Sequence, residues 1–135
     1  NMNIFKIYLV DVGLLGAMSN LSAKTLLYSN ELFQQFKGAL AENYVAQELV
    51  QSGYGLFYWT SEGRAEVDFV VMEEDQVYPL EVKSGESSKA KSLKVYADSY
   101  TPPRVIRSSL MNLKQDGRVL NIPLYLIGKL KALIA

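Results

Sequence analysis

The residues best equipped for chemistry lie between positions 66 and 83, where Glu66, Asp68, Glu81 and Lys83 are set into two short runs of β-forming residues. Residues 65 to 72 are rich in Val and Phe, residues 77 to 83 in Val, Tyr and Leu, and the polar Glu73-Glu74-Asp75-Gln76 between them predicts a hairpin turn. Side chains alternate faces along a strand, so Glu66 and Asp68 share one face of the first strand, and Glu81 and Lys83 share one face of the second. A hairpin folded symmetrically about its turn sets Met72 opposite Val77, Asp68 opposite Glu81 and Glu66 opposite Lys83. Two opposed carboxylates repel, and a fold holds them together when a cation lies between them or one keeps its proton. The plainer alternative is a wet outer face laced by a Glu66–Lys83 ion pair, which contributes little to stability.

Composition narrows what that cluster can do. The chain has no cysteine and no histidine, which removes disulfides, thiol nucleophiles, thiolate metal sites, the commonest general base and the usual zinc ligand. Acid–base or metal chemistry must rest on carboxylates, lysine, tyrosine and water, which favours hard cations such as Mg²⁺ or Mn²⁺. Fourteen basic and fourteen acidic residues give a formal charge of zero, so any grip on nucleic acid must come from a local patch. With 135 residues and 49% hydrophobic content, the chain is sized for a single domain, residues 1–135. No run reaches the roughly 18 to 20 apolar residues of a membrane span, and the opening segment lacks a signal-peptide layout. The chain therefore reads as soluble and cytoplasmic, with no membrane partner. It enters an apolar run at Ile4 directly after Asn1-Met2-Asn3, the look of a domain cut from something longer.

The elements that must position the cluster follow in order. Residues 4 to 10 have β composition, 11 to 16 read as a turn, and 20 to 29 as loop or short helix. From Asn30 to Gln51, Phe36, Leu40 and Tyr44 recur at helical spacing, Val45 and Leu49 extend the stripe, and Gly53 is placed as a C-cap with Ser29 or Asn30 as N-cap. Gly38 marks a break between a first short helix and the main one. Glu42 lies beside the apolar stripe, the position of a boundary glutamate reaching solvent. Residues 55 to 60 predict a buried strand, its aromatics in the core. Pro79 predicts an irregular or unpaired position in the second hairpin strand. Residues 87 to 100 read as a helix with Ala90, Leu93, Ala97 and Tyr100 inward and Lys89, Lys91 and Lys94 solvated. Strands at 104 to 109 and 118 to 121 flank an Asp116-Gly117 turn, and Pro123 opens a final helix with Leu124, Ile127, Leu130 and Leu133 apolar.

That α/β order is helix (38 to 52), three strands (55 to 60, 65 to 72, 77 to 83), helix (87 to 100) and strand (104 to 109). With an Asp at the head of the hairpin and Glu81-Val-Lys83 at its end, it resembles the αβββαβ core of the PD-(D/E)XK, restriction-endonuclease-like, nuclease superfamily: a central mixed sheet flanked by helices, here with N- and C-terminal additions. The runs Lys6-Ile-Tyr-Leu-Val-Asp-Val-Gly-Leu-Leu15, Gly38-Ala-Leu-Ala-Glu-Asn-Tyr-Val-Ala-Gln-Glu-Leu49, Tyr58-Trp59, Ala65-Glu-Val-Asp-Phe-Val70, Pro79-Leu-Glu-Val-Lys-Ser-Gly85 and Asn121-Ile-Pro-Leu-Tyr125 are similar to the uncharacterised C-terminal domain of a group of prokaryotic AAA-type ATPases. The resemblance implies a Mg²⁺- or Mn²⁺-dependent phosphodiesterase acting on nucleic acid, DNA before RNA, joined to an ATPase domain in a longer chain. It implies that Asp68, Glu81 and Glu42 ligate the metal and that Lys83 positions or activates water and steadies phosphate charge, with an additional ligand from the Val82 carbonyl; Glu66 is an extra acid on the same face, outside that set, as a partner of Lys83. The superfamily's proline before the Asp is Val67 here. The alternative function is a non-catalytic accessory domain that binds nucleic acid or protein and regulates the ATPase.

Overall fold

The computed structural model describes residues 31–61, 65–84 and 91–135. The expectations for residues 4 to 29, the N-cap at Ser29 or Asn30, the close of the hairpin at Gly85-Glu86, and Lys89 and Ala90 lie outside the described residues.

Helix α1 spans Glu31–Gln51 and runs unbroken through Gly38. A lone glycine costs a helix about 1 kcal/mol relative to alanine, and the fully buried Val45 and Leu49 on the same helix each return about 1.5–3 kcal/mol. The expected break at Gly38 is therefore absent. The helix ends as Gly53 predicts: Gly53 has φ +92°, its N–H donates to the Val50 carbonyl, and the Tyr54 N–H reaches back to Leu49, both at 3.0 Å. This is a Schellman ending, with Tyr54 packed on the same core as Leu49.

The expected strand at 55 to 60 shrinks to β1, Trp59–Ser61, which pairs antiparallel with β2, Ala65–Val67, in a small two-stranded sheet. Leu56 and Phe57 are exposed rather than core, with only the Phe57 carbonyl engaged, by the Val70 N–H at 2.8 Å. The main sheet has five strands in the order β3-β4-β5-β7-β6. These are β3 (Phe69–Glu73), β4 (Gln76–Val82), β5 (Val105–Ser109), β6 (Lys114–Asp116) and β7 (Val119–Pro123). β3 and β4 form an antiparallel hairpin, β4, β5 and β7 run parallel, and β6 is an antiparallel edge. Sequence reasoning missed β6, whose three residues are all exposed and carry no apolar signal.

Pro79 is buried and paired with Val70 in a regular ladder, so the expected irregularity is absent, while toward β5 it is unpaired, as the alternative has it. The Val82 N–H points toward β3 and the Lys83 N–H toward β5, so by alternation the missing N–H of Pro79 faces β5. The parallel ladder begins only at Leu80, so no bond is lost.

The sheet separates two apolar layers. Phe69, Val71, Leu80, Ile106 and Ile122 point to the side covered by α1. Val70, Val105 and Val119 point to the other side, where α2 (Lys91–Tyr100) brings Leu93, Tyr96 and Ala97, together with Val67 and Trp59. Tyr100, expected inward, is 57% exposed at the end of α2, edge-on to Trp59. The expected final helix divides into a 3-10 helix, Leu124–Lys129, and a short α3, Leu130–Ile134. Leu124, Ile127, Leu130 and Leu133 recur every three residues, the period of a 3-10 turn, and Ile127 and Leu130 are fully buried against α1 and the sheet. The fold is α/β, a mixed sheet flanked by helices.

Candidate functional site

The hairpin register is the predicted one, with Met72 opposite Val77 and the ladder running to Phe69 opposite Leu80. One step further the register would set Asp68 against Glu81, and there the strand breaks. β2 peels away from the main sheet, and Glu66 pairs with Thr60 in the small sheet, exposed. The freed edge of β4 is closed by a side chain: the Val82 N–H donates to Asp68 Oδ2 at 2.8 Å. Asp68 thus stands in for the departed strand and rests against the peptide that joins Glu81 to Val82.

Glu81 and Lys83 share the face of β4 that looks toward α2, since Leu80 and Val82 occupy the opposite layer. Lys83 Nζ lies 3.3 Å from Glu81 Oε1. The ion pair is therefore Glu81–Lys83, not Glu66–Lys83, and Glu81 is only 6% exposed, so this face is not a wet one. The second oxygen, Glu81 Oε2, is buried without a hydrogen-bond partner among the described residues. Burial pushes the Glu81 carboxyl above the ordinary glutamate range, against the opposing pull of Lys83 first and then of Arg107. A carboxylate held this way is short of positive charge, and an oxygen-seeking cation is one group that would supply it.

Glu42 is placed differently. Gly38 lies against Ser84, its absent Cβ 3.8 Å from Ser84 Oγ, while Tyr54, just past the other end of the helix, donates to Glu73 beside the start of β4, so α1 runs antiparallel to β4. Glu42, one turn after Gly38, falls level with the Glu81–Lys83 end of β4, half-buried. It rides, however, on the helix covering the Leu80 and Val82 face, opposite to the face of Glu81 and Lys83. Among the described residues, no three acidic side chains converge as a metal-holding group. The geometry brings Asp68, Glu81 and Lys83 to one strand end, with Glu42 on α1 level with that end.

Sequence reasoning missed the neighbours that complete this face. Arg107 lies directly across from Glu81 in the parallel β4–β5 ladder, and Asn121 directly across from Arg107 on β7. Arg107 is 8% exposed and Asn121 3%. Arg107 Nε donates to Asn121 Oδ1 at 3.1 Å, Ser109 Oγ donates to the same oxygen at 2.7 Å, and Asn121 Nδ2 donates to the Met111 and Asn112 carbonyls at 3.0 and 2.9 Å. A polar row, Glu81–Arg107–Asn121, thus crosses three parallel strands inside the sheet. Its trace in the sequence is a charged residue in the middle of Val105-Ile-Arg-Ser-Ser109, a strand buried at all five positions.

Glu81 lies near the carboxyl end of β4, where open α/β sheets place their ligands, while Arg107 and Asn121 sit at the middles of β5 and β7. No helix among the described residues is long and apolar enough to cross a membrane. Searches against curated proteins and against solved structures gave no match. A family model matches residues 37–127, more than half of the chain, and takes in most of α1, Asp68, Glu81, Lys83 and the Arg107–Asn121 row. On that match the chain belongs to the family described as a domain of unknown function, DUF4143.

Proposed function

We propose that this domain is a divalent-metal-dependent phosphodiesterase of the restriction-endonuclease-like kind, acting on nucleic acid and on DNA before RNA, within a longer chain that carries an AAA-type ATPase. The observation that carries the reading is the buried Glu81 carboxylate whose Oε2 lacks a hydrogen-bond partner among the described residues, with Lys83 on its other oxygen. Mg²⁺ and Mn²⁺ bind through one or two carboxylates and complete their shell with water and substrate phosphate, so Glu81 with Asp68 is a sufficient protein donor set. Bound there, the ion would lower the pKa of a water and offset charge on the phosphate. Asp68 orders the β4 edge through Val82 and presents its carboxylate at the Glu81 peptide. Lys83, about one third exposed, keeps its ammonium between the buried acid and solvent, the place for a group that steadies phosphate oxygens and orients a water. Glu42, on α1 and level with that end of β4, would add a carboxylate from the helix side.

The second reading is a non-catalytic accessory domain that binds nucleic acid or protein and regulates the ATPase. The lack of a three-acid cluster among the described residues and the zero net charge favour it. The experiment incubates the chain, and the longer ATPase-containing protein, with single- and double-stranded DNA and RNA in Mn²⁺, Mg²⁺ or EDTA. Metal-dependent cleavage lost in Asp68→Ala and Lys83→Ala supports the enzyme. No cleavage by either protein, with no metal bound, leaves the accessory reading.

A further inference from the structure

We infer that the free edge of the sheet, β6, is where this chain pairs with a second copy of itself, antiparallel and about a two-fold axis at Gln115. β6 is the last strand of the sheet, with β7 on its inner side. Every residue from Leu110 to Arg118 is exposed, and three of them, Leu110, Met111 and Leu113, are large and apolar. The run is nonetheless held in shape. Asn121 Nδ2 donates to the Met111 and Asn112 carbonyls at 3.0 and 2.9 Å, Ser109 Oγ accepts the Met111 N–H at 3.1 Å, and Gln115 Nε2 donates to the Gly117 carbonyl at 2.7 Å. A surface fixed in advance loses little entropy when a partner docks on it.

The backbone of β6 is turned the right way for such a partner. The Val105 N–H donates to the Arg118 carbonyl at 2.9 Å, so Arg118 and, by alternation, Leu120 aim at β5, while Val119 and Asn121 aim at β6. Their register partners Asp116 and Lys114 therefore spend their backbone groups on β7, and Gln115 points its N–H and C=O away from the sheet. Two antiparallel copies centred on Gln115 exchange both of those bonds. The same register sets Lys114 of each copy opposite Asp116 of the other, at the closely spaced positions of the new ladder. Leu113, 47% exposed, falls at Gly117 of the second copy, where nothing lies within 4 Å of the place a Cβ would take. The run Leu113-Lys114-Gln115-Asp116-Gly117 is thus complementary to its own reverse: large against small, cation against anion, amide against amide. Within one copy, among the described residues, neither Lys114 nor Asp116 has an ion-pair partner. Charges on a sheet edge keep most strands away, because an arriving chain would leave them unpaired. A strand that carries the opposite charge at each position is admitted, and this chain's own β6 is such a strand.

The test is sedimentation equilibrium of the whole chain from micromolar to millimolar concentration in EDTA, where wild type is expected to dimerise. Lys114→Asp sets carboxylate against carboxylate twice across the axis, and Asp116→Lys sets ammonium against ammonium twice. Each should weaken the dimer about tenfold or more. The double swap, Lys114→Asp with Asp116→Lys, should regain the wild-type affinity, and a mixture of the two single variants should form a mixed dimer. Circular dichroism checks the fold of every variant. The register has its own readout, because the chain contains no cysteine and Gln115→Cys gives it a lone thiol. At the axis the two Cα atoms lie about 5.5 Å apart, inside disulfide range, so oxidation should cross-link this variant faster than Tyr125→Cys, whose side chain is 75% exposed elsewhere. A wild type that stays monomeric throughout overturns the inference. So does a dimer that the single reversals leave unchanged, one that the double swap fails to restore, or equal cross-linking of the two thiols.

Discussion

Glu81→Gln turns the buried carboxylate into a neutral amide of nearly the same shape and separates the cost of the charge from its use. Oε2 is buried and without a hydrogen-bond partner among the described residues, and leaving such a group unsatisfied costs about 1–3 kcal/mol, more when it is charged. Lys83 and Arg107 recover part of that, yet burial outweighs them, since the carboxyl titrates above the ordinary glutamate range. The sign follows from linkage. A folded pKa above the unfolded one means that the folded state binds the extra proton, so stability falls as pH rises from the ordinary glutamate range through the raised folded value. At pH 7 without divalent ions the Gln variant should therefore be more stable, by about 1 kcal/mol, or about 3–4 °C in Tm for a chain of 135 residues. The gap should close as the pH drops below the ordinary glutamate range. Mn²⁺ at a hundred times its Kd would then raise wild type by about 2.7 kcal/mol and leave the variant unmoved. The two melting curves should thus exchange order between EDTA and Mn²⁺, read by differential scanning fluorimetry. A Gln variant less stable than wild type in EDTA at pH 7, or an equal Mn²⁺ gain in both proteins, would refute the reasoning.

Four other outcomes are expected. Asp68→Ala strips the 2.8 Å acceptor from the Val82 N–H and should cost about 1–3 kcal/mol in urea unfolding, with Asp68→Asn milder because an amide oxygen still accepts. Gly53→Ala forces a side chain into φ +92° and should cost about 1–2 kcal/mol, measured as a lower urea midpoint. The hairpin tip places Glu74 at φ 49° and Asp75 at φ 66°, both left-handed, so the double substitution Glu74→Asn with Asp75→Gly should add about 0.5–1 kcal/mol to stability, read as a higher urea midpoint. Tyr54→Phe removes the 2.7 Å bond to Glu73 that joins the end of α1 to the hairpin and should lower stability by about 1 kcal/mol. Its phenol, raised by burial and then by Glu73, should vanish from the most alkaline part of a spectrophotometric titration.

The sequence by itself determined the local devices of this protein. Period and capping residues specify α1 and its end at Gly53, because a helix stripe and a positive-φ glycine are written in single residue types. The Glu73–Gln76 turn specifies the Met72–Val77 register, and strand alternation puts Glu81 and Lys83 on one face, since both follow from a period of two. Three matters depended on long-range packing. The departure of β2 at Asp68 turned a supposed row of four charges into an Asp68 that closes a strand edge and a Glu66 left outside. The side of the sheet that each helix covers set α1, which carries Glu42, over the face opposite to that of Glu81, a choice invisible to spacing because both faces of this sheet are apolar. And the burial of Glu81 beside Arg107 and Asn121 arises from the parallel pairing of β4, β5 and β7, which joins residues 81, 107 and 121 across gaps that local pattern does not bridge. Chain chemistry named the acid and its lysine; tertiary pairing took the acid out of water and set the arginine beside it.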